Sequence, residues 1–81
     1  MSATPMPFVI RDFPDMGKYK VRLMQTVRDG RATKTWLDVR EYASGPNYMG
    51  FTRRGVRITT LEELRLLREA LEVIERERLF G

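Results

Sequence analysis

The amino-acid sequence predicts an α+β homodimer, in which a four-stranded antiparallel sheet is followed by one C-terminal helix in the order ββββα. Residues 18–28 and 33–43 alternate apolar with polar side chains, which is the period of a strand. Asp29-Gly30 lies between these runs and is typical of a tight hairpin turn. A capping box at Thr60–Glu63 then precedes leucines at helical spacing. Together these three observations predict the order of the elements.

The N-terminal segment, residues 1–17, is predicted to be a flexible tail or arm ahead of a domain at residues 18–81. Its first part, Met1–Pro7, contains two prolines and few residues that a core could bury. The more apolar Phe8–Phe13 is interpreted either as a short edge strand or as an arm that lies on a neighbouring molecule. The segment from Pro14 to Gly17 is expected to end that piece, because proline and glycine interrupt regular structure.

The predicted hairpin has two faces of opposite chemical character, because successive side chains of a strand point to opposite sides of a sheet. One face is largely apolar and comprises Tyr19, Val21, Leu23, Gln25, Val27, Thr35, Leu37 and Val39. The other face carries mostly lysine, arginine and aromatic side chains. We expect the apolar face to pack against the helix, which leaves the basic face open.

The remaining strand region follows a loop at Ser44-Gly45-Pro46-Asn47. Residues 48–52 and 54–59 are predicted to form two short strands, or one strand that bends near Arg53-Arg54-Gly55. The alternation of side chains places Arg57 on the basic face in either case.

The helix is predicted to run from Thr60 to about Leu79 and to carry two apolar stripes. The first stripe is expected to cover the apolar face of the sheet and comprises Leu64, Leu67, Leu71 and Ile74. The second stripe is interpreted as a dimer interface, with a ligand groove as the alternative, and comprises Leu66, Val73 and Phe80. A cysteine-free chain of 81 residues has a small core and no disulfide, so we expect self-association to enlarge that core.

The open face of the sheet is predicted to bind single-stranded DNA with little sequence specificity. Lysine and arginine neutralise phosphates, and unpaired bases stack on aromatic rings. The predicted contact residues are Lys18, Lys20, Arg22, Lys34, Trp36, Arg40, Phe51, Arg53, Arg54 and Arg57. Other interpretations remain open at this stage. The basic face is also compatible with a merely solvated surface, and Arg53-Arg54 with a simple charged turn. Trp36 is equally well interpreted as a core or dimer residue, and Tyr42 is better interpreted as structural.

Charge and composition support a polyanionic partner and argue against catalysis. The net charge is +4, and residues 1–60 carry 11 Lys/Arg against 5 Asp/Glu, whereas residues 61–81 carry 4 Arg against 6 Glu. Histidine and cysteine are absent, so we expect no enzyme activity, no metal and no cofactor. The sequence has neither a long apolar stretch nor a secretory signal, so we expect a cytoplasmic protein without a membrane partner, nucleoid-associated in a bacterial source.

Two segments resemble the family of the transcriptional coactivator positive cofactor four, also called p15. Trp36-Leu37-Asp38-Val39-Arg40-Glu41-Tyr42 is similar to the Ile-Asp-Ile-Arg-Glu-Tyr strand of its C-terminal domain, and Arg53–Thr59 is similar to its basic-basic-Gly strand. The resemblance covers about residues 18–80, and the chain looks more like a compact bacterial or phage member than a eukaryotic one. It implies the same fold, a dimer, and binding of single-stranded or unwound DNA in transcription, replication or repair.

The resemblance also assigns roles to individual residues. It implies that Lys34, Arg40, Arg53 and Arg54 contact the strand. Ala43 stands where better-known members have a stacking tryptophan, so Trp36 or Phe51 would have to substitute for it.

Two other functions are compatible with the sequence. The first is a protein-interaction adaptor of the transcription machinery, motivated by the second helix stripe and the basic face. The other is a binder of single-stranded RNA, because no motif here reports on contacts to the 2′-hydroxyl.

Overall fold

The computed structural model describes residues 6–78 and Phe80. Four strands form one sheet in the order β1-β2-β3-β4, each antiparallel to the next, and one helix follows. The elements are β1 (Phe8–Met16), β2 (Tyr19–Arg28), β3 (Arg31–Ser44), β4 (Met49–Ile58) and α1 (Leu61–Arg76). The predicted ββββα fold is therefore confirmed, while the homodimer stays a prediction.

Strand β1 is longer than the sequence predicts and belongs to the sheet. It pairs with β2 from Phe8 to Met16 and so continues through Pro14, where the sequence predicts a break. Proline is tolerated here because β1 is an edge strand, on which a missing N–H need not interrupt a ladder. The register shifts on either side of the strand centre, between Val9 and Arg11 and between Phe13 and Met16.

The β2–β3 hairpin forms as the alternation and the turn residues predict. Leu23 lies opposite Leu37, and the strands remain in regular register from Tyr19 to Thr26. Asp29 and Gly30 both have positive φ, at 52° and 76°. Positive φ at both central residues is what a two-residue turn between twisted strands requires.

Strand β4 is one strand with a bulge rather than two strands. Arg40 lies opposite Gly55, but two residues further along β3 Tyr42 lies opposite Phe51, so β4 contains extra residues between these pairs. The guanidinium of Arg40 holds the bulge, because its Nη1 donates to the carbonyl oxygens of Thr52 at 3.4 Å and Arg53 at 3.1 Å.

The helix begins as predicted and ends earlier. Thr60 is the N-cap and its hydroxyl accepts from the amide of Glu63, whose carboxylate accepts from the amide of Thr60. This reciprocal capping box satisfies two amide donors that the first turn leaves open. The helix ends at Arg76, and Arg78 has a φ of 54°, so the predicted continuation toward Leu79 is wrong at this point. Leu79 itself lies outside the described residues.

The predicted packing of the helix on the sheet is wrong. No residue of α1 is buried, and Leu64, Leu67 and Leu71 of the first stripe are all exposed. Only the start of the helix lies near the sheet, where Leu61 and Leu64 border a depression on the apolar face. A sequence pattern shows that a helix has an apolar face but not which surface covers that face.

The most buried side chains lie on the face that the sequence predicts to be open. Met24, Trp36 and Asp38 are buried there. On the apolar face Ile58 is buried, but Val21 and Val39 are only half-buried. Arginine side chains cover part of this face, since Arg57 lies over the Trp36 ring and both Arg22 and Arg40 contact Asp38. In the described part of the chain, no helix combines the length and apolar character needed to cross a bilayer.

Candidate nucleic-acid interface

The strand register assembles most of the predicted contact residues on one side of the sheet. Lys20 lies opposite Arg40, and the next row across the sheet contains Arg22, Asp38 and Arg57. We call this side the basic face; its members are Lys20, Arg22, Lys34, Trp36, Asp38, Arg40, Tyr42, Phe51 and Arg57.

Asp38 is the centre of the basic face. Its carboxylate accepts from Arg22 Nη2 at 3.1 Å and from Arg40 Nε at 3.2 Å, and Arg57 Nε lies 3.8 Å from it. Asp38 is only 2% exposed, so this buried charge requires such partners. One carboxylate cannot neutralise three guanidinium groups, and the cluster keeps an excess of positive charge.

The three arginines of this cluster differ in how far they can reach. The side chains of Arg22 and Arg40 are 18% and 19% exposed, whereas that of Arg57 is 59% exposed. Arg40 is further occupied by the bulge carbonyls that it holds. Arg57 is thus the member of the cluster that is best placed to meet a phosphate.

Aromatic rings are interleaved with these cations. The Cζ atom of Arg22 lies 4.0 Å from the ring centroid of Phe51, and Lys20 Nζ lies 5.6 Å from that of Tyr42. The Tyr42 and Phe51 centroids are 5.1 Å apart with an interplanar angle of 86°. Such edge-to-face and cation–π contacts are favourable and fix the tilt of the rings.

Trp36 is placed differently from Phe51. Its side chain lies beside Met24 on the basic face and is 8% exposed, with Arg57 Cζ 5.2 Å from the ring centroid. This burial favours the interpretation of Trp36 as a core residue. An exposed stacking platform at Trp36 does not fit this placement, because the ring is covered.

Two acids of β1 reach the basic face, and the sequence pattern alone does not identify them. Asp15 accepts a hydrogen bond from Lys20 Nζ at 2.8 Å, and Asp12 lies opposite Arg22. The hydrogen bond and the charge of Asp15 raise the pKa of Lys20 above its ordinary value. Strict alternation along β1 would place Asp12 and Asp15 on opposite faces. The register shift between Phe13 and Met16 brings both acids to the basic face, and no sequence signal predicts that shift.

The remaining predicted residues lie away from the basic face or at its ends. Lys18 Nζ lies 3.1 Å from Glu41 Oε2, and Arg54 Nη1 lies 3.9 Å from the same oxygen. Glu41 lies opposite Tyr19, on the apolar side of the sheet. Arg54 also borders a depression of that side. Arg53 is exposed in the β4 bulge, and Lys34 is exposed toward the β2–β3 turn.

Comparison of the chain with protein-family models, with curated proteins and with solved structures found no match. The resemblance to the coactivator family therefore stays a prediction from two sequence segments.

Proposed function

We propose that this protein is a homodimeric single-stranded DNA-binding protein with little sequence specificity, acting in transcription regulation, replication or repair. The contact between Arg22 and Phe51 on a surface rich in arginine carries this proposal. Phosphates need cations and unpaired bases need flat surfaces, and this face offers both within a few ångströms. A duplex hides the flat sides of its bases and would leave the aromatic component unused.

The electrostatics of the sheet support a backbone-directed mode of binding. Lys34 and Arg57 are exposed on the basic face, and Arg53 and Arg54 are exposed in the β4 bulge. Each would contact a phosphate without reading a base, so affinity would depend strongly on salt and weakly on sequence.

The proposed dimer is supported by the amount of apolar surface that one chain leaves uncovered. The predicted interface residues Leu66, Val73 and Phe80 are all exposed, and so is Leu71. The radius of gyration is 15.7 Å, whereas about 12 Å is usual for a compact chain of this length. A second copy would cover surface that the helix leaves bare within its own chain.

A salt-dependent titration of a labelled single-stranded oligonucleotide tests the proposed function. We expect Arg53→Ala with Arg54→Ala to weaken binding to all sequences and to flatten the salt slope, by roughly 0.7 for each phosphate that the variant no longer neutralises. The matched control is Arg65→Ala with Arg76→Ala, which removes the same charge from the helix. This control should leave the affinity and the salt slope nearly unchanged. Wild-type affinity that ignores salt, or that favours duplex, would contradict the proposal.

The protein-interaction adaptor remains a second candidate, and the exposed apolar side of α1 is the observation that favours it. A stable dimer that binds neither DNA nor RNA single strands would make this candidate the better one. RNA enters the same titration as a competitor, and preference for it would reassign the ligand while keeping the site.

A further inference from the structure

We infer that Phe51 and the guanidinium of Arg22 together form a base-stacking site, and that Asp38 is the positioning residue that holds it; this inference rests on the proposed function. The guanidinium carbon lies 4.0 Å from the ring centroid of Phe51. Bases that leave a stack are received by aromatic rings and by guanidinium planes alike. The pair therefore presents one composite surface of the right chemistry for a single unpaired base.

Exposure distinguishes this ring from its neighbours on the same face. Phe51 is 37% exposed, whereas Trp36 is 8% exposed and Tyr42 is half-buried. Tyr42 contacts Phe51 nearly at right angles and fixes the tilt of its ring. Phe51 is thus the ring of the basic face that a base can reach without displacing a buried side chain.

Asp38 is connected to both parts of this surface. Its Oδ2 accepts from Arg22 at 3.1 Å, which restrains the guanidinium that lies against the ring. Its Oδ1 accepts from Arg40, which in turn holds the carbonyls of the β4 bulge next to Phe51. The burial of Asp38 prevents its carboxylate from swinging into solvent, so the two parts of the site are ordered before a strand arrives.

The experiment compares a thymidine homopolymer with an abasic strand of the same length. Both strands carry the same phosphates, so the ratio of their affinities reports stacking and not charge. For the wild-type protein we expect the thymidine strand to bind about five- to hundredfold more tightly, the range that stacking of one base gives. Phe51→Leu should bring this ratio close to one and leave the salt slope unchanged.

Two further variants test the roles of Arg22 and Asp38. Arg22→Lys keeps the positive charge but has no plane on which a base can stack, so the ratio should fall while the abasic strand binds as before. Asp38→Asn removes a negative charge, which by itself would strengthen binding to both strands. A fall in the ratio despite that gain would identify Asp38 as a positioning residue, because a change of charge alone cannot produce it.

Lys34→Ala is the matched control, since it removes an exposed cation from the same face. It should weaken both strands equally and leave their ratio unchanged. A wild-type ratio near one, with binding that still depends on salt, would overturn the stacking site and leave the proposed function standing. A ratio unchanged in both Phe51→Leu and Arg22→Lys would also overturn it, even if Asp38→Asn fails to fold. If no single strand binds at all, the proposed function and this inference both fail.

Discussion

Gly55 lies where the backbones of β3 and β4 approach each other most closely at the bulge. A Cβ atom at this position would lie 2.4 Å from the carbonyl oxygen of Val39 and 2.9 Å from the Cα of Arg40. Both are backbone atoms and cannot move aside like the end of a flexible side chain. Glycine is therefore required here for close approach of the backbone.

We expect Gly55→Ala to lower the free energy of unfolding by about 2–4 kcal/mol, as is usual when a substitution forces two strands apart. Urea denaturation at fixed protein concentration measures this change. Gly45→Ala is the control, because a Cβ there would contact only the Tyr48 carbonyl at an ordinary 3.9 Å. Equal effects of the two substitutions would show that the close approach at Gly55 is not a constraint.

The ion pair between Asp15 and Lys20 gives a second prediction for single residues. Asp15 competes with phosphates for this lysine, so Asp15→Asn should raise the affinity for a single strand about two- to fivefold at low salt. Fluorescence anisotropy against a labelled oligonucleotide measures the change. Asp29→Asn removes the same charge at the distant hairpin turn and should have a smaller effect; an equal gain would show that only net charge matters.

Single residues also show how far the sequence could predict the site. The period of two correctly placed Lys20, Arg22 and Arg40 on one face of the hairpin. Counted along β4 from Arg57, the same period places Arg54 on the apolar side, where it borders a depression. The sequence could not show that extra residues in the bulge bring Phe51 opposite Tyr42. The partners of Asp38 were equally hidden, since alternation assigns residues to a face without giving the distances between them.

Among the elements, the start of α1 depends on a titratable side chain. The Glu63 carboxylate accepts from the amides of Thr59 and Thr60, at 3.0 Å and 3.2 Å, and these bonds lower the pKa of Glu63 below its ordinary 4.5. A carboxylate whose pKa is lower in the folded state than in the unfolded state stabilises the fold at pH values above its unfolded pKa. That contribution is lost as the pH falls through the lower, folded value.

We therefore expect the helix content of the wild type to decrease on acidification below about pH 4.5. The helix content of the Glu63→Gln variant should decrease less over the same pH range, because the variant has already lost the ionisable carboxylate. Far-UV circular dichroism across an acid titration measures both. Glu62→Gln, at the neighbouring exposed position of the first turn, is the control and should titrate like the wild type. An acid response unchanged in Glu63→Gln would contradict the role of the capping box.

The sequence predicted elements better than it predicted their ends and their packing. Local chemistry determines a cap or a two-residue turn, so Thr60 and Asp29-Gly30 could be identified directly. The passage of β1 through Pro14 depends on that strand being at an edge, and this position is known only once the sheet is assembled. The helix that does not pack on its own sheet is a further example. Its apolar side could be covered either by that sheet or by another molecule, and the sequence pattern does not distinguish the two.

For the molecule as a whole, the notable property is its flatness. The described residues span 53 × 39 × 18 Å, so the chain is less than half as thick as it is wide. Apolar side chains remain exposed along α1, and the apolar face of the sheet is incompletely covered. The proposed second copy would cover this surface and enlarge so small a core.

We expect Leu71→Glu to convert the proposed dimer into a monomer and to lower the thermal midpoint, because it places a charge on the apolar side of the helix. Analytical ultracentrifugation over a range of concentrations measures the association. Arg65→Glu introduces a glutamate on the polar side of the same helix and should leave the dimer intact. A wild-type protein that sediments as a monomer would refute the proposed assembly.

The irregular outer strands have a consequence for how the protein behaves at high concentration. β1 and β4 are the edge strands of the described sheet, and unpaired edges can template strand addition from other molecules. Pro14 withholds an N–H from one edge, and the bulge before Gly55 distorts the other. Neither edge presents an uninterrupted row of donors and acceptors, so growth into fibrils is disfavoured although much apolar surface lies nearby.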